Sequence, residues 1–226
     1  NNYKQSKYLK MSVYEVAETY NSEGKLPKAL NYYNKIINDY PSSSLVLSAR
    51  INVADIYFKQ GENEKAESEY LSLLEEFSLQ GNICEKSVRG LVDIYKTEKK
   101  LEKIDQLVSQ YECANITSIE QEDMYYLPAM EKYEDSSYKE SIVLFEKYLE
   151  RFSSGRYSNE VKIYLANSHY ALKNFDKAVS IYKKSLEAED NIFTEISTAR
   201  VSHYLYNEGL YEEAIPYYEK LELVSS

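Results

Sequence analysis

A small-residue position recurs along the chain. Ala29, Ala66, Ile104, Ser141, Ala178 and Ala214 follow one another at intervals of 36 to 38 residues, and four positions after each stands a large side chain: Tyr33, Tyr70, Val108, Phe145, Tyr182 and Tyr218. Residues four apart lie one above the other on a single helix face, so each pair marks the packing stripe of one helix. Self-similarity at this period is the signature of stacked two-helix units. Each unit buries its apolar face only against its neighbours, so the 226 residues count repeats rather than domains, about six at this spacing. The expected architecture is an all-α solenoid of helical hairpins, with repeats near 8–43, 44–80, 81–117, 118–154, 155–190 and 191–226 in one array over 1–226.

Composition narrows the function classes. With 43% hydrophobic residues, four prolines and six glycines, the chain is too apolar and too regular to be a disordered tail. Its net charge is -10, and 27 basic residues are interleaved with 37 acidic ones without any Lys/Arg stripe, which argues against nucleic acid as a partner. The acidic excess favours a basic or cationic partner. No stretch approaches the 18 apolar residues of a membrane span, so direct membrane insertion is not expected, and Asn1 to Lys10 lack the layout of a signal peptide. The chain has no initiating Met, starts inside a helical pattern and stops after a last hairpin, and is expected to be a fragment of a longer array. Apolar residues such as Leu221 and Leu223 near its ends at Asn1 and Ser226 suggest weak end-to-end homo-oligomers.

Two cysteines are too few for a disulfide framework. Cys84 falls at the start of one helix and Cys113 near the end of its antiparallel partner, at the same open end of the third hairpin. Two reduced, partly buried thiols are the expectation; in an oxidising compartment a bridge is the alternative, if the Cα atoms come within about 7 Å.

The first repeat shows the pattern best: Val16-Ala17, Tyr20, Gly24, Ala29, Tyr33 and Pro41 are large-small, aromatic, turn, small, aromatic and terminator in order. Small residues let two helix axes approach, Gly24 ends the first helix, Pro27 suits the first turn of the second and Pro41 stops it. Repeats two, five and six follow with Val53-Ala54, Tyr57, Gly61, Ala66 and Tyr70, with Leu165-Ala166, Tyr170, Ala178 and Tyr182, and with Val201-Ser202, Tyr206, Gly209 and Ala214. In this order the pattern resembles the tetratricopeptide repeat, over nearly the whole chain, which implies a right-handed superhelix and non-catalytic protein recognition. The third repeat is degenerate, with a bulky Ile104 expected to push its helices apart. Pro128 in the fourth is expected to kink its first helix or delay its start. Residues 81 to 135 thus read as the irregular middle of the array. The repeat length and the exits Pro41-Ser42-Ser43-Ser44 and Ser153-Ser154-Gly155-Arg156-Tyr157 resemble bacterial cell-envelope members, the outer-membrane assembly lipoprotein and the Tol-Pal coordinating protein. That resemblance implies the periplasm or cell envelope; a cytoplasmic regulatory or chaperone-like adaptor, or a spacer within a larger polypeptide, is the alternative.

No glycine-rich phosphate loop, paired-histidine zinc motif or nucleophile elbow occurs, so no enzyme activity, catalytic residue, cofactor or metal is predicted. His169 and His203 fall on first helices of adjacent repeats without a third ligand, which makes a poor metal site. Asn115-Ile116-Thr117 matches a glycosylation triplet that arises readily by chance. Tyrosine is abundant, 25 residues with no tryptophan, and most are expected to fill packing positions. The resemblance implies a concave groove lined by first helices, which here reads Tyr14, Ile51, Asp55, Phe58, Arg89, Asp93, Tyr126, Met130, Tyr133, Ile163, Asn167, Tyr170, His203 and Tyr206. Family members that clamp a terminal carboxylate use asparagines where this chain has Glu18, Asp55 and Asp93, with only Asn167 agreeing. Acidic tails are therefore disfavoured, and the expected partner is a basic or aromatic-rich protein segment or peptide.

Overall fold

The structure is a computed structural model that describes residues 7–187 and 190–225. Among them are twelve α-helices and no strand: α1 Lys7–Ser22, α2 Leu26–Asp39, α3 Val46–Lys59, α4 Asn63–Phe77, α5 Gly81–Thr97, α6 Leu101–Gln110, α7 Ser118–Glu134, α8 Tyr138–Arg151, α9 Ser158–Ala171, α10 Phe175–Ser185, α11 Thr194–Asn207 and α12 Tyr211–Val224. They pair into antiparallel hairpins, α1 with α2 through α11 with α12. The chain divides into two compact units, Asn1–Ile116 and Thr117–Ser226, each of three hairpins. None of the helices is long and apolar enough to cross a membrane.

One backbone device makes all six hairpin turns. A single residue takes the left-handed conformation between the helices: Gly24, Gly61, Lys99, Ser136, Lys173 and Gly209, with φ between 58° and 77°. The residue after it donates its N–H five positions back, as from Lys25 to the Tyr20 carbonyl (2.9 Å) and from Glu62 to the Tyr57 carbonyl (2.9 Å), a bond repeated at Lys100, Ser137, Asn174 and Leu210. This satisfies carbonyls the helix end leaves orphaned. Glycine adopts the conformation at no steric cost, whereas Lys99, Ser136 and Lys173 hold it against their own Cβ, which packing must offset.

The fixed turn puts the small position in the same place each time, the fourth residue of every second helix. Ala29, Ala66, Ser141 and Ala178 are fully buried there, with Ile104 and Ala214 at 1% exposure. In the first unit Ala17, Ala29, Tyr33, Ile36, Ala49 and Ile56 form one core cluster; in the second, Ile163, Ala166, Ala178, Tyr182, Val201 and Leu205 form another. The large position is filled and buried by Tyr33, Tyr70, Phe145 and Tyr182. In the third hairpin the register slips, and Leu107 is buried while Val108 is half-buried. Tyr218 in α12 is 41% exposed and Leu223 is 77% exposed. Asn1 and Ser226, which entered the expectation of end-to-end pairing, lie outside the described residues.

Two sequence expectations are corrected. Pro128 does not delay α7, which runs unbroken through it from a capping box: the Thr117 hydroxyl accepts from the Glu120 N–H (3.2 Å), and the Glu120 carboxylate accepts from the Thr117 N–H (2.7 Å). This start, fixed well upstream, lets the helix form regardless of the one N–H that proline lacks. Pro216 also lies inside a continuous helix, α12, whose start carries no side-chain cap. The cysteines, expected as thiols, are bridged with their Cα atoms 6.0 Å apart. The cause is the shortness of α6, which stops at Gln110; a 3-10 turn, Glu112–Ala114, then folds back onto α5 and delivers Cys113 to Cys84.

Two stability outcomes follow from this packing. Ala66→Leu inserts three carbons at a fully buried crossing and is expected to cost about 1–3 kcal/mol, against little for Lys65→Leu on the exposed face, measured by urea denaturation. Replacing both cysteines with serine removes a link across 29 residues and is expected to lower stability by about 3–4 kcal/mol in the same assay.

Candidate functional site

A buried tyrosine brings a hydroxyl into an apolar core and needs a partner for it. Tyr33, Tyr70 and Tyr182 solve this identically: each donates to a side chain 15 residues earlier, on the first helix of its own hairpin, namely Glu18, Asp55 and Asn167. Where the large position holds Phe145 or Val108, no hydroxyl exists, and the residue 15 earlier is the half-buried Met130 or the exposed Asp93. The polar groups on the first-helix faces are thus anchored from within the core. Gly90 of α5 makes room for this at Tyr70, since a Cβ there would lie 2.3 Å from the ring Cζ.

In the first unit, Asn52 donates to the Tyr14 hydroxyl (2.9 Å) and to Glu18 (2.7 Å), and the Tyr14 ring meets Tyr33 edge-on at 5.6 Å. Burial beside Glu18 pushes the Tyr14 hydroxyl up to about 12. Burial also raises the Asp55 carboxyl, against the opposing pull of the Tyr70 hydrogen bond and of Lys59 and Lys86; Asp93 adds to the rise. Phe58 is half-buried, and Arg89 is exposed, 3.6 Å from Glu85. Ile51 is in the core, packed with Leu73 and Ile83, and is not part of any open face.

In the second unit, Tyr126, expected on the groove, is buried: its ring stacks on Tyr157 at 3.9 Å and its hydroxyl donates to Glu160 (2.9 Å). Ile163 is likewise in the core. The three residues eight positions before the small position, Tyr133, Tyr170 and Tyr206, occupy one equivalent place on α7, α9 and α11. Tyr133 and Tyr170 are half-buried and Tyr206 is 53% exposed. Asn167, held by Tyr182, reaches the Tyr133 hydroxyl at 3.4 Å, and the Arg200 guanidinium lies over the Tyr170 ring at 4.3 Å. Arg200 was absent from the sequence-predicted set because an isolated arginine carries no pattern; only the fold sets it on an aromatic ring. His169 is buried beside Asn174, and His203 is exposed at the position that Asn167 holds one hairpin earlier, so the two histidines do not share a face. No group of three metal-ligating side chains occurs among the described residues.

The raised Asp55 carboxyl fixes the sign of a pH effect. Its ionised form is a cost to folding at neutral pH, relieved as pH falls through its raised value toward the ordinary carboxylate range. Asn167 shows that an amide accepts the same tyrosine bond. Asp55→Asn is therefore expected to raise stability at neutral pH by up to about 1 kcal/mol, with the gap to the parent closing near about pH 4, followed by urea denaturation across pH.

Family models of the tetratricopeptide repeat match residues 12–43 and 160–192, one in each unit. No curated protein matches the chain. Among solved structures, the chain is similar to a tetratricopeptide repeat protein from Parabacteroides merdae (17% identity, 95% of this chain and 79% of that one, TM-score 0.41). It is also similar to pilF of Pseudomonas aeruginosa (16%, 95% and 91%, TM-score 0.39) and to the TPR2AB domain of yeast Sti1 in complex with pHSP90 (15%, 94% and 89%, TM-score 0.37). A repeat is matched in each unit, and the fourth residue of every second helix is buried in register, so the chain carries tetratricopeptide repeats.

Proposed function

We propose that the second unit binds an extended protein segment or peptide along the first-helix face of α7, α9 and α11. The observation that carries this is the equivalent placement of Tyr133, Tyr170 and Tyr206, with rings partly exposed one repeat apart. Amphipathic aromatic rings on a rigid scaffold bury large area at low entropic cost, which is how a few residues come to dominate an interface. The repeat family is commonly a protein-recognition scaffold, and nothing in the chain's motifs calls for catalysis. The first unit, taken by itself, presents Glu18, Asp55 and Asp93 on its first helices, which would favour basic residues in any segment bound there, since an acidic one would meet like charge.

The compartment we infer is an oxidising one, such as the bacterial periplasm or cell envelope. Disulfides persist there and are rare in reducing cytosol, and the Cys84–Cys113 bridge supports this reading together with the repeat length and exits. Alkylation of unreduced protein in native cells checks it: blocked thiols are expected only after reduction, and two thiols alkylated without reductant would place the chain in a reducing compartment.

The recognition face is checked by affinity capture from the native cell extract, with the parent chain beside a Tyr133→Ala, Tyr170→Ala, Tyr206→Ala variant of matched helicity. Loss of a partner with at least about tenfold weaker binding is expected, while Leu79→Ala, at a fully exposed residue of the first unit, leaves binding unchanged. Equal capture by parent and triple variant would remove this face from consideration.

A further inference from the structure

The repeat register exposes a second feature of the second unit, away from the tyrosine face. Seven residues after the small position, second helices bury a large side chain: Ile36, Leu73 and Tyr148 are all fully buried there. In α10 that place belongs to Ser185, the last residue of an 11-residue helix, where α2, α4 and α8 run 14, 15 and 14 residues. The Ser185 hydroxyl donates to the Tyr182 carbonyl (2.7 Å) and accepts from the Ser197 hydroxyl (3.2 Å), and its short side chain does not fill the place that Ile36, Leu73 and Tyr148 fill. A groove of about 430 Å³ opens over it between α8, α9 and α10, with Leu149, Ile163, Ile181 and Phe193 among the residues that line it. This falls within the roughly 300–1,000 Å³ of small-molecule sites.

The charge at its rim is also out of register. The fifth residue of α3 is Arg50, which is compensated by the second helix of its own hairpin: Glu69 at 2.6 Å, Ser72 at 2.9 Å and Glu76 at 3.4 Å. The fifth residue of α9 is Lys162, and the places of Glu69 and Ser72 are taken by Ile181 and Lys184. Where Glu69 neutralises Arg50 the fifth hairpin has the aliphatic Ile181, and a second lysine, Lys184, lines the same groove as Lys162. Among the described residues lining the groove, two are lysines and one, Glu187, is a carboxylate, a local basic excess in a chain of net charge -10.

We propose that this groove is a binding site for a single-chain anionic amphiphile of the fatty-acid class, with its carboxylate between Lys162 and Lys184 and its alkyl chain in the space vacated at Ser185. An alkyl chain needs only a dry apolar slot, and a carboxylate supplies the acceptor oxygens that Glu69 and Glu76 supply to Arg50. The site is independent of the tyrosine face, so failure of either reading leaves the other intact.

Calorimetric titration of the full chain with laurate, below its micellar concentration, tests the proposal. Saturable binding is expected. Ser185→Leu restores the side chain that the register calls for, and is expected to weaken laurate by at least about tenfold with helicity kept and thermal stability equal or higher. Lys162→Gln with Lys184→Gln is expected to weaken laurate by a similar factor while leaving dodecanol, already the poorer ligand, unchanged. Absence of saturable laurate binding, equal binding by Ser185→Leu, or dodecanol binding as tightly as laurate to the parent would each overturn it.

Discussion

Close approach of two helices at a small residue is the constraint on which this structure depends. At Ala29, Ala66, Ser141 and Ala178 the absence of a bulky side chain lets a second helix lie against its first, and the void beside the crossing is filled one turn later by a tyrosine or phenylalanine. Interiors are packed at crystal-like density, so neither half of the arrangement is stable without the other: the small residue alone would leave a cavity, and the large residue alone would force the helices apart. The left-handed turn residue makes the arrangement repeatable, because it fixes how many residues separate the crossing from the helix that precedes it.

From that register the polar chemistry follows. A tyrosine in the large position carries its hydroxyl to the inner edge of the first helix, and Glu18, Asp55 and Asn167 stand where it arrives. The bond has two effects: it satisfies a buried donor, and it holds an acceptor side chain on the first helix of the hairpin. The first unit consequently presents carboxylates and the second an amide among aromatic rings. Arg200 over Tyr170 adds the one guanidinium to that aromatic strip.

Departures from the repeat are as informative as the repeat. In the third hairpin, where Ile104 replaces alanine, the second helix is short, the buried large residue shifts from Val108 to Leu107, and a disulfide ties the following turn to α5. A covalent link there substitutes for the helical turns that the other hairpins use to hold the same end. In the fifth hairpin the shortened second helix has no such link, and the missing side chain at Ser185 leaves open space instead.

The sequence by itself determined the repeat period, the helix pairing and the buried small position of each hairpin, with its large partner at Tyr33, Tyr70, Phe145 and Tyr182 but not at Val108 or Tyr218, because these obey local spacing rules that hold along one helix and across one turn. The resemblance to the repeat family put Tyr133, Tyr170 and Tyr206 in the expected groove set, and their common spacing from the small position gives them equivalent places on α7, α9 and α11. The sequence did not reveal that Tyr126, Ile51 and Ile163 are buried, since first-helix residues facing a neighbouring hairpin and those facing solvent share similar types and differ only in what packs over them. The bridge between Cys84 and Cys113 and the presence of Lys162 and Lys184 in the lining of one groove were likewise visible only in three dimensions. Each depends on where a helix stops, and a helix end is set by the competition between local caps and tertiary packing, which no single window of sequence contains.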